Sequence, residues 1–169
     1  KFKKIILRVS IDGDDTTFSY FRTYGDINKI VANVQKLHEL KNIEMSLTTT
    51  VSIYNITRLV DIVKFVNAAG GLFHTSMVQY PKAINPKVLP ANIKSKVTAD
   101  WTAFKLTLDD SALWNHSQWS NEKRKQQQKK RIVRYGDHAV NYMNADDYTS
   151  ELGETAEYIN FMDKHNNTS

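Results

Sequence analysis

Arg8-Val9-Ser10-Ile11-Asp12-Gly13-Asp14-Asp15-Thr16-Thr17-Phe18-Ser19-Tyr20-Phe21-Arg22 is the stretch on which the reading of this chain turns. It follows Ile5-Ile6-Leu7, and the β-branched run through Ile11 predicts a strand closed by the turn residues Asp12-Gly13-Asp14. Side chains alternate along a strand, so Ile5, Leu7, Val9 and Ile11 share one face while Arg8, Ser10 and Asp12 share the other. In parallel α/β proteins ligands bind at the carboxyl ends of the strands. A hydroxyl and a carboxylate two residues apart at such an end are placed to meet one. Asp-Gly is also an ordinary turn pair, and a serine here can simply face solvent, so the strands that follow must supply the context.

They do so in an alternating order. Gly25-Asp26 opens a predicted first helix with Ile27, Ile30, Val31, Val34, Leu37 and Leu40 at amphipathic spacing. Met45 to Ile53 reads as a second strand, with Met45, Leu47, Thr49, Val51 and Ile53 on one side and Ser46, Thr48, Thr50 and Ser52 on the other. Asn55 suits the N-cap of a second helix carrying Ile56, Leu59, Val60, Val63 and Val66, and Gly70-Gly71 suits its end. A third strand over 72–80 puts His74, Ser76 and Tyr80 on one face. Strand, helix, strand, helix, strand is the signature of right-handed βαβ units and a parallel sheet.

Parallel strands covered on both sides usually read as unbroken apolar runs. Here the strands keep a hydroxyl-bearing face, which predicts a barrel-like sheet whose polar row lines a ligand-holding lumen. The competing explanation is a sheet with one wet face.

Composition narrows the classes. With 169 residues, 41% of them hydrophobic, the chain can bury one sizeable core. No apolar run approaches the ~20 residues of a membrane span, and no secretory signal opens the chain. The start at Lys1, running almost at once into a strand, is read as the mark of a piece of a longer protein. The absence of cysteine removes disulfides, thiolate metal sites and cysteine nucleophiles, and accords with a reducing compartment such as the cytoplasm. Net charge is +5, carried by residues 1–90 with 12 basic and 7 acidic side chains; residues 91–169 balance at 11 and 11.

At this point the residues resemble the radical S-adenosylmethionine (radical SAM) enzymes, in the branch with SPASM or twitch auxiliary domains. Lys3 to about Pro81 resembles the last three of the six βα units of their partial barrel. Ser10-Ile11-Asp12-Gly13 resembles the end of the fourth strand, and Arg22 follows the serine by twelve residues as in the family. Thr50-Val51 followed by Asn55 resembles the end of the fifth, and Met77 before Pro81 the end of the sixth. The resemblance implies that Ser10 and Asp12 bind the ribose hydroxyls of S-adenosylmethionine, that Arg22 binds its methionyl carboxylate, and that Val78 offers backbone contacts to the adenine. A surface ion pair between Arg22 and Asp14 or Asp15 is the plainer alternative. Thr48, Thr50 and His74 are the substrate-side candidates.

The family's three-cysteine loop, which holds a [4Fe–4S] cluster, is absent from these residues and would lie upstream of Lys1. The resemblance therefore implies the C-terminal part of an enzyme that reductively cleaves S-adenosylmethionine to a 5′-deoxyadenosyl radical for hydrogen abstraction. An electron-donor protein and an unidentified substrate, with peptides the commonest in this branch, would be its partners. The segment alone is expected to be inactive.

Residues 86–169 read as a mostly helical, twitch-like region beyond the half-barrel of residues 1–85. Ile93, Val97, Trp101, Phe104 and Leu108 predict one helix, and Trp114 and Trp119 about His116 read as core packing. Lys123, Arg124, Lys125, Lys129, Lys130, Arg131 and Arg134 form a basic run. It supports the alternative of a non-catalytic α/β module that presents a basic helix to nucleic acid or a protein partner. A solvated helix face is its simpler reading, given the acidic residues downstream. Leu152, Ala156, Ile159 and Met162 predict the packed side of a last helix.

Overall fold

The computed structural model describes residues 3–14, 17–22 and 25–166. Strands β1 (Ile5–Ser10), β2 (Ile43–Val51) and β3 (Leu72–Met77) form a parallel sheet in the order β1-β2-β3. The expected alternation of strands and helices is what the chain builds. The register sets Val9, Leu47 and Phe73 side by side, and next to them Ser10, Thr48 and His74.

A one-turn helix, α1 (Phe18–Phe21), precedes the helix expected after Gly25-Asp26, which is therefore the second: α2 (Ile27–His38). Asp26 caps α2 through its carboxylate, which accepts from the Asn28 and Lys29 amides at 2.9 and 3.1 Å. The next helix, α3 (Leu59–Ala68), follows a 3-10 turn at Ile56–Arg58, and here the expected Asn55 cap is corrected: that side chain makes no cap bond. Gly70 ends α3 with φ of +74°, and the Gly71 amide reaches back to the Val66 carbonyl at 3.2 Å. That left-handed turn is open to glycine at little cost.

α2 and α3 pack on β2 and β3 over the apolar side of the sheet. Leu47, Val51, Phe73, Val34, Ile62, Val63 and Val66 are buried there, each large side chain contributing about 1.5–3 kcal/mol by leaving water. Thr49 sits among them because its hydroxyl donates to the Ile11 carbonyl at 2.6 Å. The same cluster extends to Trp101, Phe104, Trp114, Trp119 and Ile132, joining residues on both sides of position 85.

Those later residues come from α4 (Ala91–Leu106), two 3-10 turns and α5 (Glu122–Asn144). α4 and α5 meet where Gly136 lies against the Trp101 indole; a Cβ there would come within 2.0 Å of the ring. The indole N–H donates to Asp137 at 2.8 Å.

α5 then runs beside the outer edge of β3 and closes it. The Phe73 amide donates to the Gln128 side-chain oxygen at 3.0 Å, and Arg131 Nε donates to the Phe73 carbonyl at 3.0 Å. The outward backbone groups of Phe73 on this edge are thereby satisfied without another strand. The last helix, α6 (Leu152–Asn166), corrects the expected packed side. Leu152 and Ala156 are exposed, while Thr155 is buried and donates to the Ala83 carbonyl at 2.8 Å. Thr155, Tyr158, Ile159 and Met162 form the inward stripe instead. Among the described residues no helix is long and apolar enough to cross a membrane.

Candidate functional site

The carboxyl ends of the strands converge on Asp12. Its Oδ1 accepts from the Thr50 amide at 2.9 Å, which fixes the carboxylate against the end of β2. Its Oδ2 accepts from Arg22 Nη2 at 2.6 Å and Nε at 3.1 Å. Arg22 thus meets Asp12, not the neighbours its alternative reading named: Asp14 pairs with Arg58, and Asp15 lies outside the described residues. The Nη1 side of the guanidinium is left for another acceptor.

Asn55 holds this corner. It is 2% exposed, its Nδ2 donates to the Asp12 and Thr50 carbonyls at 2.8 and 2.9 Å, and its Oδ1 accepts from the Ser52 amide at 2.9 Å. One buried amide therefore ties the turn after β1 to the end of β2, the role that replaces the expected cap.

Above the corner lies a cavity of about 230 Å³ lined by Asp12, Arg22, Thr50, Val78, Tyr20, Tyr54 and neighbouring residues that include Tyr158 and Met162 of α6. Tyr20 and Tyr54 stand 5.7 Å apart. Tyr20 donates to Asp163 at 2.8 Å, which ties α6 to the cavity wall. Burial raises both phenol pKa values, that of Tyr20 also through the bond to Asp163, and both stay neutral donors. A charged pair beside aromatic walls can receive a ligand with a flat ring, hydroxyls and an anionic end.

Of the residues singled out in the sequence, Asp12, Arg22, Thr50 and Val78 are brought together here. Val78 differs from expectation in one respect: its amide donates to the Val51 carbonyl at 2.9 Å, and its carbonyl accepts from Asn85 and Tyr142. Its backbone is engaged within the fold, and it serves as a lining residue. Ser10 is not among the lining residues; it is exposed on the polar face of the sheet, in one row with Thr48 and His74. The tyrosines and Asn55 were missed as site residues. Tyr20 lies within the opening stretch, and Tyr158 and Met162 are spaced i, i+4 on α6, which was the only available signal.

The basic run of α5 is largely occupied. Arg124 lies over the Trp119 ring at 5.7 Å, Lys125 and Lys129 over Trp114 at 5.6 and 5.5 Å, and Lys129 also pairs with Asp109 at 2.6 Å. Trp114 and Trp119 are core residues as expected, in edge-to-face contact at 5.8 Å. Among the described residues no group of three or more His, Asp or Glu side chains is gathered to hold a metal.

No protein-family model, curated protein or solved structure matches the chain.

Proposed function

We propose that this chain is the C-terminal part of a radical SAM enzyme, contributing three βα units of a partial (β/α) barrel and a helical, twitch-like region. The observation that supports this best is the meeting of Asp12 and Arg22, ten residues apart in sequence, at one cavity on the carboxyl ends of parallel strands. The residues fit the nucleoside cofactor in chemistry: a carboxylate for ribose hydroxyls, a guanidinium with donors to spare for the methionyl carboxylate, and tyrosines beside them for a flat base. They do not fit the iron–sulfur cluster, since the chain has no cysteine; in this reading residues upstream of Lys1 hold it.

S-Adenosylmethionine, when bound and reduced by such a cluster, supplies a radical that takes hydrogen from a substrate. The work of this chain's own residues is binding and orientation. Asp12, held by the Thr50 amide, keeps its geometry whether or not Arg22 is drawn towards a ligand carboxylate. The bond from Tyr20 to Asp163 holds α6 beside the cavity, so that Tyr158 and Met162 form part of its wall. The alternative, a module presenting its basic helix to nucleic acid or a partner, loses ground because Arg124, Lys125 and Lys129 lie over tryptophan rings of the same chain.

The test is equilibrium binding of S-adenosylmethionine to the protein and to its Asp12→Ala and Arg22→Gln variants. Loss of a charge-assisted contact should weaken binding at least about tenfold in each. Unchanged affinity in both would remove the assignment, and an upstream reading frame without three cysteines spaced three and two residues apart would remove the enzyme.

A further inference from the structure

The polar face of the sheet carries a second feature that the strand-end cavity does not use. Along one row Ser10, Thr48 and His74 stand on adjacent strands. Thr48 Oγ1 and His74 Nδ1 are buried and have no hydrogen-bond partner, although buried polar atoms are almost always bonded. α5 forms a wall beside this floor. His74 lies 4.4 Å from the Tyr135 ring, and the guanidinium groups of Arg131 and Arg134 lie 5.2 and 5.6 Å from the same ring. Arg131 also donates to the Ser46 hydroxyl at 3.3 Å, and Ser46 is the cross-strand neighbour of Arg8. Arg131 and Arg134 thus lie over the Tyr135 phenol, Arg8 stands on the same face of the sheet, and the charges of all three act on the His74 imidazole.

None of them is neutralised. Among the described residues no carboxylate lies within ion-pair distance of Arg8, Arg131 or Arg134. The acidic groups at the two ends of this face are spent elsewhere, Glu44 on Lys4 at 2.9 Å and Asp12 on Arg22. Burial and the three arginines lower the His74 pKa, so the ring is neutral near pH 7 and can accept or donate a hydrogen bond.

We propose that this face binds a phosphomonoester dianion, with Arg8, Arg131 and Arg134 as the charge partners and Ser10, Thr48 and His74 as the hydrogen-bonding floor. A single carboxylate would leave most of that positive charge uncompensated. A polyanion needs cations strung along a track, whereas Arg131 and Arg134 converge on the Tyr135 ring, and Lys125 and Lys129 of the same helix lie over Trp114. The site stands apart from the nucleoside cavity and does not depend on what that cavity binds.

Phenyl phosphate is the probe, with benzoate at equal ionic strength as the control, followed through the His74 ring and Arg131 Nε signals by NMR. Phenyl phosphate should shift both and bind at least about tenfold more tightly than benzoate. Arg8 and Arg134 are exposed, so the double variant Arg8→Gln/Arg134→Gln should keep its melting temperature while losing at least about tenfold in phosphate affinity. Equal affinity for benzoate, undiminished binding in the double variant, or tighter binding of a single-stranded oligonucleotide than of phenyl phosphate would overturn the proposal. Asp12→Ala should leave phenyl phosphate binding intact even where it abolishes S-adenosylmethionine binding, which separates failure of one site from failure of the other.

Discussion

On one side of the sheet Leu47, Thr49, Val51, Phe73 and Thr75 are buried, and even the two hydroxyls there have acceptors, Thr49 the Ile11 carbonyl and Thr75 the Tyr135 carbonyl. On the other side, among the described residues, Thr48 and His74 keep buried polar atoms without partners, and Arg8, Arg131 and Arg134 have no carboxylate within ion-pair distance. The backbone of the same three strands serves both. The difference teaches how this fold divides its sheet: the first face bonds its buried hydroxyls internally, and among the described residues the second keeps buried polar atoms without partners and arginines without counter-charges, which is what the proposed anion would meet.

The comparison can be broken most forcefully at Phe73. It is fully buried, and Phe73→Ala should cost about 3–5 kcal/mol through lost burial and the cavity left behind. A urea titration measures this; a loss below about 1 kcal/mol would mean that the apolar face does not carry the fold.

Acid should act through the other face, by less. His74 has a pKa lowered below its unfolded value, with burial the first cause and Arg131, Arg8 and Arg134 the next. The unfolded chain therefore binds the proton more readily, so stability is full above about pH 6.5 and falls as pH drops from there through the folded pKa. His38 and His116, lowered chiefly by burial, act in the same window. Urea midpoints between pH 7.5 and 5 should decline, and His74→Gln should flatten part of that slope. An identical slope in the variant would show that the imidazole is not held neutral by its surroundings.

The smallest effect sharpens the contrast. Thr48→Val removes a hydroxyl that has no partner, so it should be neutral or stabilising by up to about 1 kcal/mol, where loss of a satisfied buried hydroxyl would cost stability. A clear destabilisation would mean that Thr48 already has its bond, and the polar face would then be as complete as the apolar one.

Much of this was readable along the chain. Alternation at Ile5 to Ile11 and at Met45 to Ile53 foretold strands with one apolar and one polar face, and Asp26 and Gly70-Gly71 foretold where α2 starts and α3 stops. Each of these depends on neighbours within a turn or on the next residue but one. The Asn55 cap failed because the same amide found better partners in the Asp12 and Thr50 carbonyls, one of them 43 residues away. The packed side of α6 held at Ile159 and Met162 but failed at Leu152 and Ala156, because Thr155, polar by composition, is buried on the Ala83 carbonyl 72 residues before it.

By itself, then, the sequence determined the order of elements, the parallel sheet and its two unlike faces, because period and capping are local properties of the backbone. Only the tertiary structure decided that Arg22 closes on Asp12, that α5 bonds the Phe73 backbone at the edge of β3 and lays Lys125 and Lys129 on the Trp114 ring, and that the charges of three arginines act on His74. Those outcomes rest on which surfaces meet when helices dock, and charge and burial then select among partners that no spacing in the chain distinguishes.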